Sequence, residues 1–176
     1  LIVLLAFDSL DGLVARHRKE TSLLGSVIDI AADRTVELLL WVMFSDLRLI
    51  SVAIPLTVIA RGTTVDAVRG VGLSQGHTPF GMMRTKWGKR LVGSRFMRST
   101  YGMAKFLAFV GLSSTIALLS FPSTSRWYQA GHTVGFVAAI LSWLALLLSL
   151  ARGLPVLIEG VPLLKAADRP HAETGN

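Results

Sequence analysis

Long apolar segments separated by short polar connections dominate the pattern of this chain. Residues 101–121 and 133–151 are long and apolar enough to cross a bilayer, which takes roughly 20 apolar residues. Residues 27–44 and 47–60 fit less well, and the apolar opening run 1–14 is too short to span alone. The pattern therefore predicts membrane helices over about 1–16, 23–44, 49–68, 99–121 and 133–151.

The polar positions predict how these helices are joined. We expect a tight outer turn at 45–48, a kink at Pro55 and an outer loop over 122–132. The connection 70–98 is Gly-rich and then basic. Within it Met83, Trp87 and Leu91 recur every four residues between cations, as in a helix that lies among lipid headgroups..

The sequence also predicts the nature of the two ends of the chain. Gly153, Pro155 and Pro162 are expected to end the last helix, and the polar residues 166–176 to form a disordered cytoplasmic tail after a membrane domain over 1–165. Because the chain opens inside an apolar run, we expect at least half a helix to precede it in the natural protein. No internal repeat or second domain is evident. The predicted fold class is all-α, a polytopic transmembrane helical bundle.

Composition and charge agree with a membrane protein. The chain has 176 residues, is 52% hydrophobic and only 16% charged, and its mean hydropathy is +0.57. Most Lys and Arg residues fall in alternate connections, the positive-inside bias that assigns those connections to the cytoplasm. No basic motif interleaved with aromatics supports nucleic-acid binding. The absence of cysteine excludes disulfides and thiol catalysis.

Four aspartates interrupt the first two apolar segments. Asp8 and Asp11 are three residues apart, and Asp29 and Asp33 are four apart, so each pair shares one side of its helix. Gly12 and Gly25 would let two antiparallel helices approach closely. Four such carboxylates would repel one another unless divalent cations held them, and Mg²⁺ prefers carboxylate oxygen. A two-metal site of this kind suits displacement at phosphorus.

The same residues resemble a known family. The pattern Asp8-x-x-Asp11-Gly12-x-x-Ala15-Arg16, eight residues, then Gly25-x-x-x-Asp29-x-x-x-Asp33 is similar to the signature of the CDP-alcohol phosphatidyltransferases at every fixed position. The signature covers only 26 residues, and the hydropathy pattern extends the resemblance over the rest. The family's usual first membrane helix has no counterpart in the pattern.

The resemblance implies a role for each of these residues. Asp8 and Asp29 would bridge two Mg²⁺ or Mn²⁺ ions, Asp11 would complete the first site and Asp33 the second. Asp33 would also deprotonate the acceptor hydroxyl. The donor, CDP-diacylglycerol, would be contacted by Gly12, Arg16 and Ser22. The reaction would transfer a phosphatidyl group to a small polar alcohol and release CMP.

Basic residues suggest the acceptor. Arg61 and Arg69 in IARGTTVDAVR look like a segment of phosphatidylglycerophosphate synthases, although Gly62 replaces a common Glu. Arg98 and Lys105 stand where related enzymes carry a basic element. These four cations would bind the phosphate of an acceptor such as glycerol 3-phosphate, or they are ordinary cytoplasmic loop charges.

Other functions stay open at this point. The acceptor could instead be an inositol phosphate or another polar alcohol. A protein of another class, a small cation or proton transporter, would also place acids within the membrane, and a structural network could pair the acids with Arg16 and Arg34. Family members often dimerise, and the sequence neither supports nor opposes a homodimer. The expected location is the plasma (inner) membrane, with the active site facing the cytoplasm.

Overall fold

The computed structural model describes residues 23–74 and 85–167, and these form helices and turns without a strand. The described part therefore confirms the all-α class. Its helices, numbered in chain order, are α1 (Leu23–Asp46), α2 (Ala53–Ser74), α3 (Lys86–Gly93), α4 (Arg95–Leu119) and α5 (Arg126–Ala167). The predicted helix over 1–16 and most of the predicted tail lie outside the described residues, and α5 includes the first two residues of that tail.

Two of these helices are suited to cross a membrane by length and composition. They are α4 and the Arg126–Pro162 part of α5, and only 28% of the apolar window in each is buried inside the protein. The core helix of a soluble protein would be mostly buried, so these exposed apolar surfaces suit contact with lipid. Helices α1 and α2 carry more charged residues in their interiors. The number of five membrane helices stays a prediction.

The chain divides into two compact units. The first contains the described part of Leu1–Val52 together with Ala108–Ala139, and the second contains the described parts of Ala53–Leu107 and Ile140–Asn176. Helices α4 and α5 contribute residues to both.

The first unit has an aromatic core at the second half of α1. Trp41 is 1% exposed and lies edge-on to Phe109 of α4, with their ring centroids 4.7 Å apart. Phe44, one turn later on α1, lies 5.9 Å from the same ring. Aromatic pairs in such geometry stabilise packing beyond the area they bury.

Small residues let α4 and α5 approach closely within the first unit. A Cβ placed on Gly111 would lie 2.8 Å from the Cβ of Ala138, and one on Gly135 would lie 3.0 Å from Cγ2 of Thr115. Thr115 is buried and donates a hydrogen bond of 2.8 Å to the carbonyl of Gly111 in its own helix. Close approach at small residues is the packing used between membrane helices.

Proline positions differ from the sequence prediction. Pro55 lies in the first turn of α2, where a missing N–H costs no intrahelical bond, so it needs no kink. Pro155 and Pro162 lie inside α5, which continues to Ala167 instead of ending near residue 151. Helix α5 also begins at Arg126, which shortens the predicted outer loop.

The turn after α1 agrees with its predicted position. The amide of Arg48 donates to the carbonyl of Ser45 at 2.9 Å. Arg48 has a φ of 57°, in the left-handed region that residues other than Gly and Asn rarely adopt.

Candidate active site

Helix α1 carries two of the four predicted metal ligands. Asp29 and Asp33 lie one turn apart on this helix and both are exposed. Side chains four residues apart on a helix are neighbours, with Cβ atoms about 5–6 Å apart. The two carboxylates can therefore share one side of α1 and face a common ligand.

The donor set of this pair fits a hard divalent cation. Carboxylate oxygens are the ligands that Mg²⁺ and Mn²⁺ prefer. No group of three or more acids, histidines or cysteines comes together among residues 23–74 and 85–167. A complete site would need ligands besides Asp29 and Asp33, and the other predicted ligands, Asp8 and Asp11, lie outside the described residues.

The predicted donor-binding residues Gly12, Arg16 and Ser22 lie outside the described residues too. Their roles stay predictions.

In the second unit, Arg61 of α2 packs across α5 at Gly153. A Cβ on Gly153 would overlap Nε of Arg61 and lie 3.2 Å from both its Cγ and its Cζ. With a larger residue at position 153 the side chain of Arg61 would have to move, so glycine leaves the space that this side chain occupies. The predicted acceptor residue Arg61 thus packs against α5 at Gly153, the residue that follows Arg152 in the chain.

Arg152 and Lys105 share the ring of Tyr101. Cζ of Arg152 and Nζ of Lys105 each lie 5.7 Å from the centroid of that ring, within the range of cation–π contacts. Three cations, Arg61, Arg152 and Lys105, are thereby connected through Tyr101 and Gly153. We call these five residues the cationic cluster. The positive charge of Arg152 and Lys105 around the ring of Tyr101 attracts anions.

The remaining two predicted acceptor residues are less closely tied to the cationic cluster. Arg69 lies two turns after Arg61 on α2 and is half-buried. Arg98 is exposed and precedes Tyr101 by three residues on α4. Of the four predicted cations, Arg61 and Lys105 therefore have described contacts in the cationic cluster.

Arg152 is the residue that the sequence analysis missed as a functional candidate. By the sequence alone, Arg152 is one of the Lys and Arg residues in the predicted cytoplasmic connections. A signal existed, because Arg152-Gly153 interrupts an apolar segment with one cation and one residue that lacks a side chain. That combination permits another side chain to approach the helix beside the charge.

Comparison with known proteins defines the class. Residues 1–157 match the family model of CDP-alcohol phosphatidyltransferase. These are enzymes that transfer a phosphatidyl group from a CDP-alcohol in phospholipid synthesis, and they use divalent metal ions. The chain belongs to the CDP-alcohol phosphatidyltransferase family. Two helices in the described part are long and apolar enough to cross a membrane, and the chain is an integral membrane protein. No curated protein and no solved structure is significantly similar to the chain.

Proposed function

We propose that this enzyme transfers the phosphatidyl group of CDP-diacylglycerol to a phosphorylated alcohol, with glycerol 3-phosphate as the acceptor. The observation that carries this choice is the cationic cluster, in which Arg61 lies over Gly153 and both Arg152 and Lys105 contact Tyr101. An unphosphorylated alcohol needs no such concentration of positive charge. A phosphate does, because guanidinium groups bind it through charge-assisted and often bidentate hydrogen bonds.

The acidic residues take the roles that the family resemblance implies. Asp8, Asp11, Asp29 and Asp33 would hold two Mg²⁺ or Mn²⁺ ions, and Asp29 and Asp33 would supply their carboxylates from adjacent turns of α1. Bound divalent ions would neutralise charge that develops on the phosphate oxygens. Gly12, Arg16 and Ser22 contact the CDP-lipid.

The transfer is a displacement at phosphorus. Asp33 accepts the proton of the acceptor hydroxyl, and the hydroxyl oxygen forms a bond to the phosphorus that carries diacylglycerol. The bond from that phosphorus to the bridging oxygen of the diphosphate breaks, and CMP leaves. Arg61, Arg152 and Lys105 orient the acceptor through its own phosphate, with Arg69 and Arg98 adding positive charge.

The setting of the reaction follows from the charge distribution. The predicted cytoplasmic connections carry most Lys and Arg residues, so the active site would open to the cytoplasm from the plasma (inner) membrane. We also propose a homodimer, because family members often dimerise.

The decisive assay measures CMP release from CDP-diacylglycerol with a panel of alcohols. We expect release with glycerol 3-phosphate and little with glycerol. Arg61→Ala should raise KM for the phosphorylated acceptor roughly ten- to a hundred-fold while KM for CDP-diacylglycerol changes little, because a hydrogen bond to a charged group is worth about 1.5–3 kcal/mol.

A matched control is Arg126→Ala, which removes an exposed arginine at the start of α5. This control should leave both constants unchanged. Equal use of glycerol and glycerol 3-phosphate would refute the phosphorylated acceptor. Preferential use of an inositol phosphate would keep the cationic cluster as the binding site of the acceptor phosphate. It would refute glycerol 3-phosphate as the acceptor.

A further inference from the structure

An open apolar groove lies where α3 meets the first turn of α4. It is lined by Trp87, Leu91, Ser94, Phe96 and Met97 and has a volume of about 340 Å³. Small-molecule sites usually have volumes of roughly 300–1,000 Å³. Phe96 is 75% exposed and Trp87 50% exposed, so the groove opens to the outside of the protein. Four large apolar side chains around one opening suit a hydrocarbon ligand.

Most charged residues in and beside α3 are cations, although the carboxylate of Glu159 contacts Thr85 just before this helix. Arg95 and Arg98 are exposed at the start of α4, and α3 itself has the sequence KWGKRLVG, with three cations and no acid. No acidic residue occurs in the chain between Asp66 and Glu159. An apolar groove next to the exposed cations Arg95 and Arg98 is complementary to a lipid that has an anionic headgroup.

The position along the chain agrees with a lipid ligand. Helix α4 is a candidate membrane span that begins at Arg95, so the groove lies at the end of a membrane-spanning segment. Trp, Lys and Arg are enriched at that level of the bilayer.

Helix α3 is also held at a fixed place on α5. The amide of Thr85 donates to Oε2 of Glu159 at 3.2 Å, and its hydroxyl donates to Oε1 of the same carboxylate. The amide of Gly88 donates to Oγ1 of Thr85 at 3.2 Å, which caps the helix. A Cβ on Gly88 would lie 2.5 Å from Oε1 of Glu159, so a larger residue at position 88 would require this carboxylate to move. Trp87 and Leu91 are thereby presented from a docked helix.

We propose that this groove binds an acyl chain of an anionic phospholipid from the surrounding bilayer, while Arg95 contacts the headgroup phosphate. The positive charge of α3 adds attraction to the anionic leaflet. Nucleic acid would use the cations but leave the apolar lining exposed to water, so the observations favour lipid. This lipid is a resident ligand and not the phosphatidyl donor, and its binding does not depend on the transfer reaction.

The test uses the full chain reconstituted in phosphatidylcholine vesicles without CDP-lipid. Brominated phosphatidylglycerol or brominated phosphatidylcholine is then titrated into the vesicles. The fluorescence quenching of Trp87 is the difference in quenching between the wild-type protein and Trp87→Phe. We expect about fivefold stronger quenching per mole of the anionic lipid, as one cation near an anionic surface predicts. Raising the salt concentration should reduce this preference.

Variants separate headgroup from acyl chain. Arg95→Gln should bring the two lipids to within about twofold of each other, whereas Arg126→Gln, the matched control, should keep the preference. Leu91→Gln should lower quenching by both lipids. Retention of phosphatidylglycerol through purification, measured by mass spectrometry, should fall in Arg95→Gln but not in Arg126→Gln.

Equal quenching by the two lipids in the wild-type protein would overturn the proposal, since Trp87 would then only be an interfacial anchor. An unchanged preference in Arg95→Gln would overturn it as well. Displacement of the brominated lipid by CDP-diacylglycerol but not by phosphatidylglycerol would identify the groove as a donor site and refute a resident lipid.

Discussion

Asp33 stands one turn after Asp29 on α1, and both carboxylates are exposed. If Asp33 is the general base, Asp33→Asn should lower kcat by about 10²–10⁴-fold, the usual contribution of such a base. Asp46→Asn removes an exposed acid from the end of the same helix and should leave kcat unchanged. CMP release under saturating substrates measures both. A few per cent or more of wild-type turnover in Asp33→Asn would assign proton removal to another group.

At the scale of single residues, the sequence predicts which residues are functional better than it predicts their contacts. The spacing of Asp29 and Asp33 places them on one side of a helix without knowledge of the fold, and a family resemblance indicates Arg61. The contact of Arg61 with Gly153 joins residues 92 positions apart, and no local pattern predicts it. Arg152 was missed as a candidate for the same reason: its significance depends on Tyr101, which reaches it from another helix.

Among the elements, α5 shows the largest departure from prediction. Gly153, Pro155 and Pro162 favour a helix end in water, where freed carbonyls can bind solvent. In an apolar surrounding, ending a helix exposes still more unsatisfied backbone groups, so a helix continues through proline where neighbouring groups compensate. The hydropathy pattern predicted the end of α1 to within two residues, and α4 begins and ends within four residues of its predicted limits. It could not show that the prolines of α5 are tolerated.

The packing of α2 on α5 gives a prediction for Gly153. In Gly153→Ala the added methyl group would overlap Nε of Arg61 and displace that side chain. KM for the phosphorylated acceptor should therefore rise roughly tenfold, although Arg61 itself is present. Gly102→Ala on α4 is the control, because a Cβ there meets nothing within 4 Å. Unchanged KM values in Gly153→Ala would mean that the location of Arg61 is unimportant for acceptor binding.

The packing of α4 on α5 in the first unit predicts a loss of stability. A methyl group added at Gly111 would lie 2.8 Å from Cβ of Ala138 and force the helices apart. Overpacking of this kind usually costs about 1–3 kcal/mol. Gly111→Ala should lower the midpoint of thermal unfolding in detergent, whereas Gly70→Ala, where a Cβ meets nothing within 4 Å, should not. A midpoint equal to that of the wild type would show that the contact relaxes without cost.

For the whole molecule, family membership and the four predicted metal ligands allow a direct test of metal dependence. Activity should disappear in excess EDTA and return with Mg²⁺ or Mn²⁺, because uncompensated carboxylates repel the diphosphate of the donor. Ca²⁺ at the same concentration is the control for charge alone, since it accepts more ligands at longer distances. Turnover that persists in EDTA would refute metal-assisted transfer. Cation flux across vesicles without CMP release would favour a transporter.

The strained turn between α1 and α2 offers a way to engineer a more heat-resistant enzyme. Arg48 adopts a φ of 57°, which costs an L-residue about 1–2 kcal/mol. Glycine would remove this cost, but it loses more conformational entropy on folding, which lowers the stability by about 0.5–1 kcal/mol. Asparagine tolerates the left-handed conformation without this entropic cost. Arg48→Asn should raise the unfolding midpoint by about 2–4 °C, measured in detergent with Arg126→Asn as the control. It also removes a cation from a predicted outer turn, so membrane insertion should become more uniform rather than less. A lower midpoint would mean that the arginine side chain holds the turn in place.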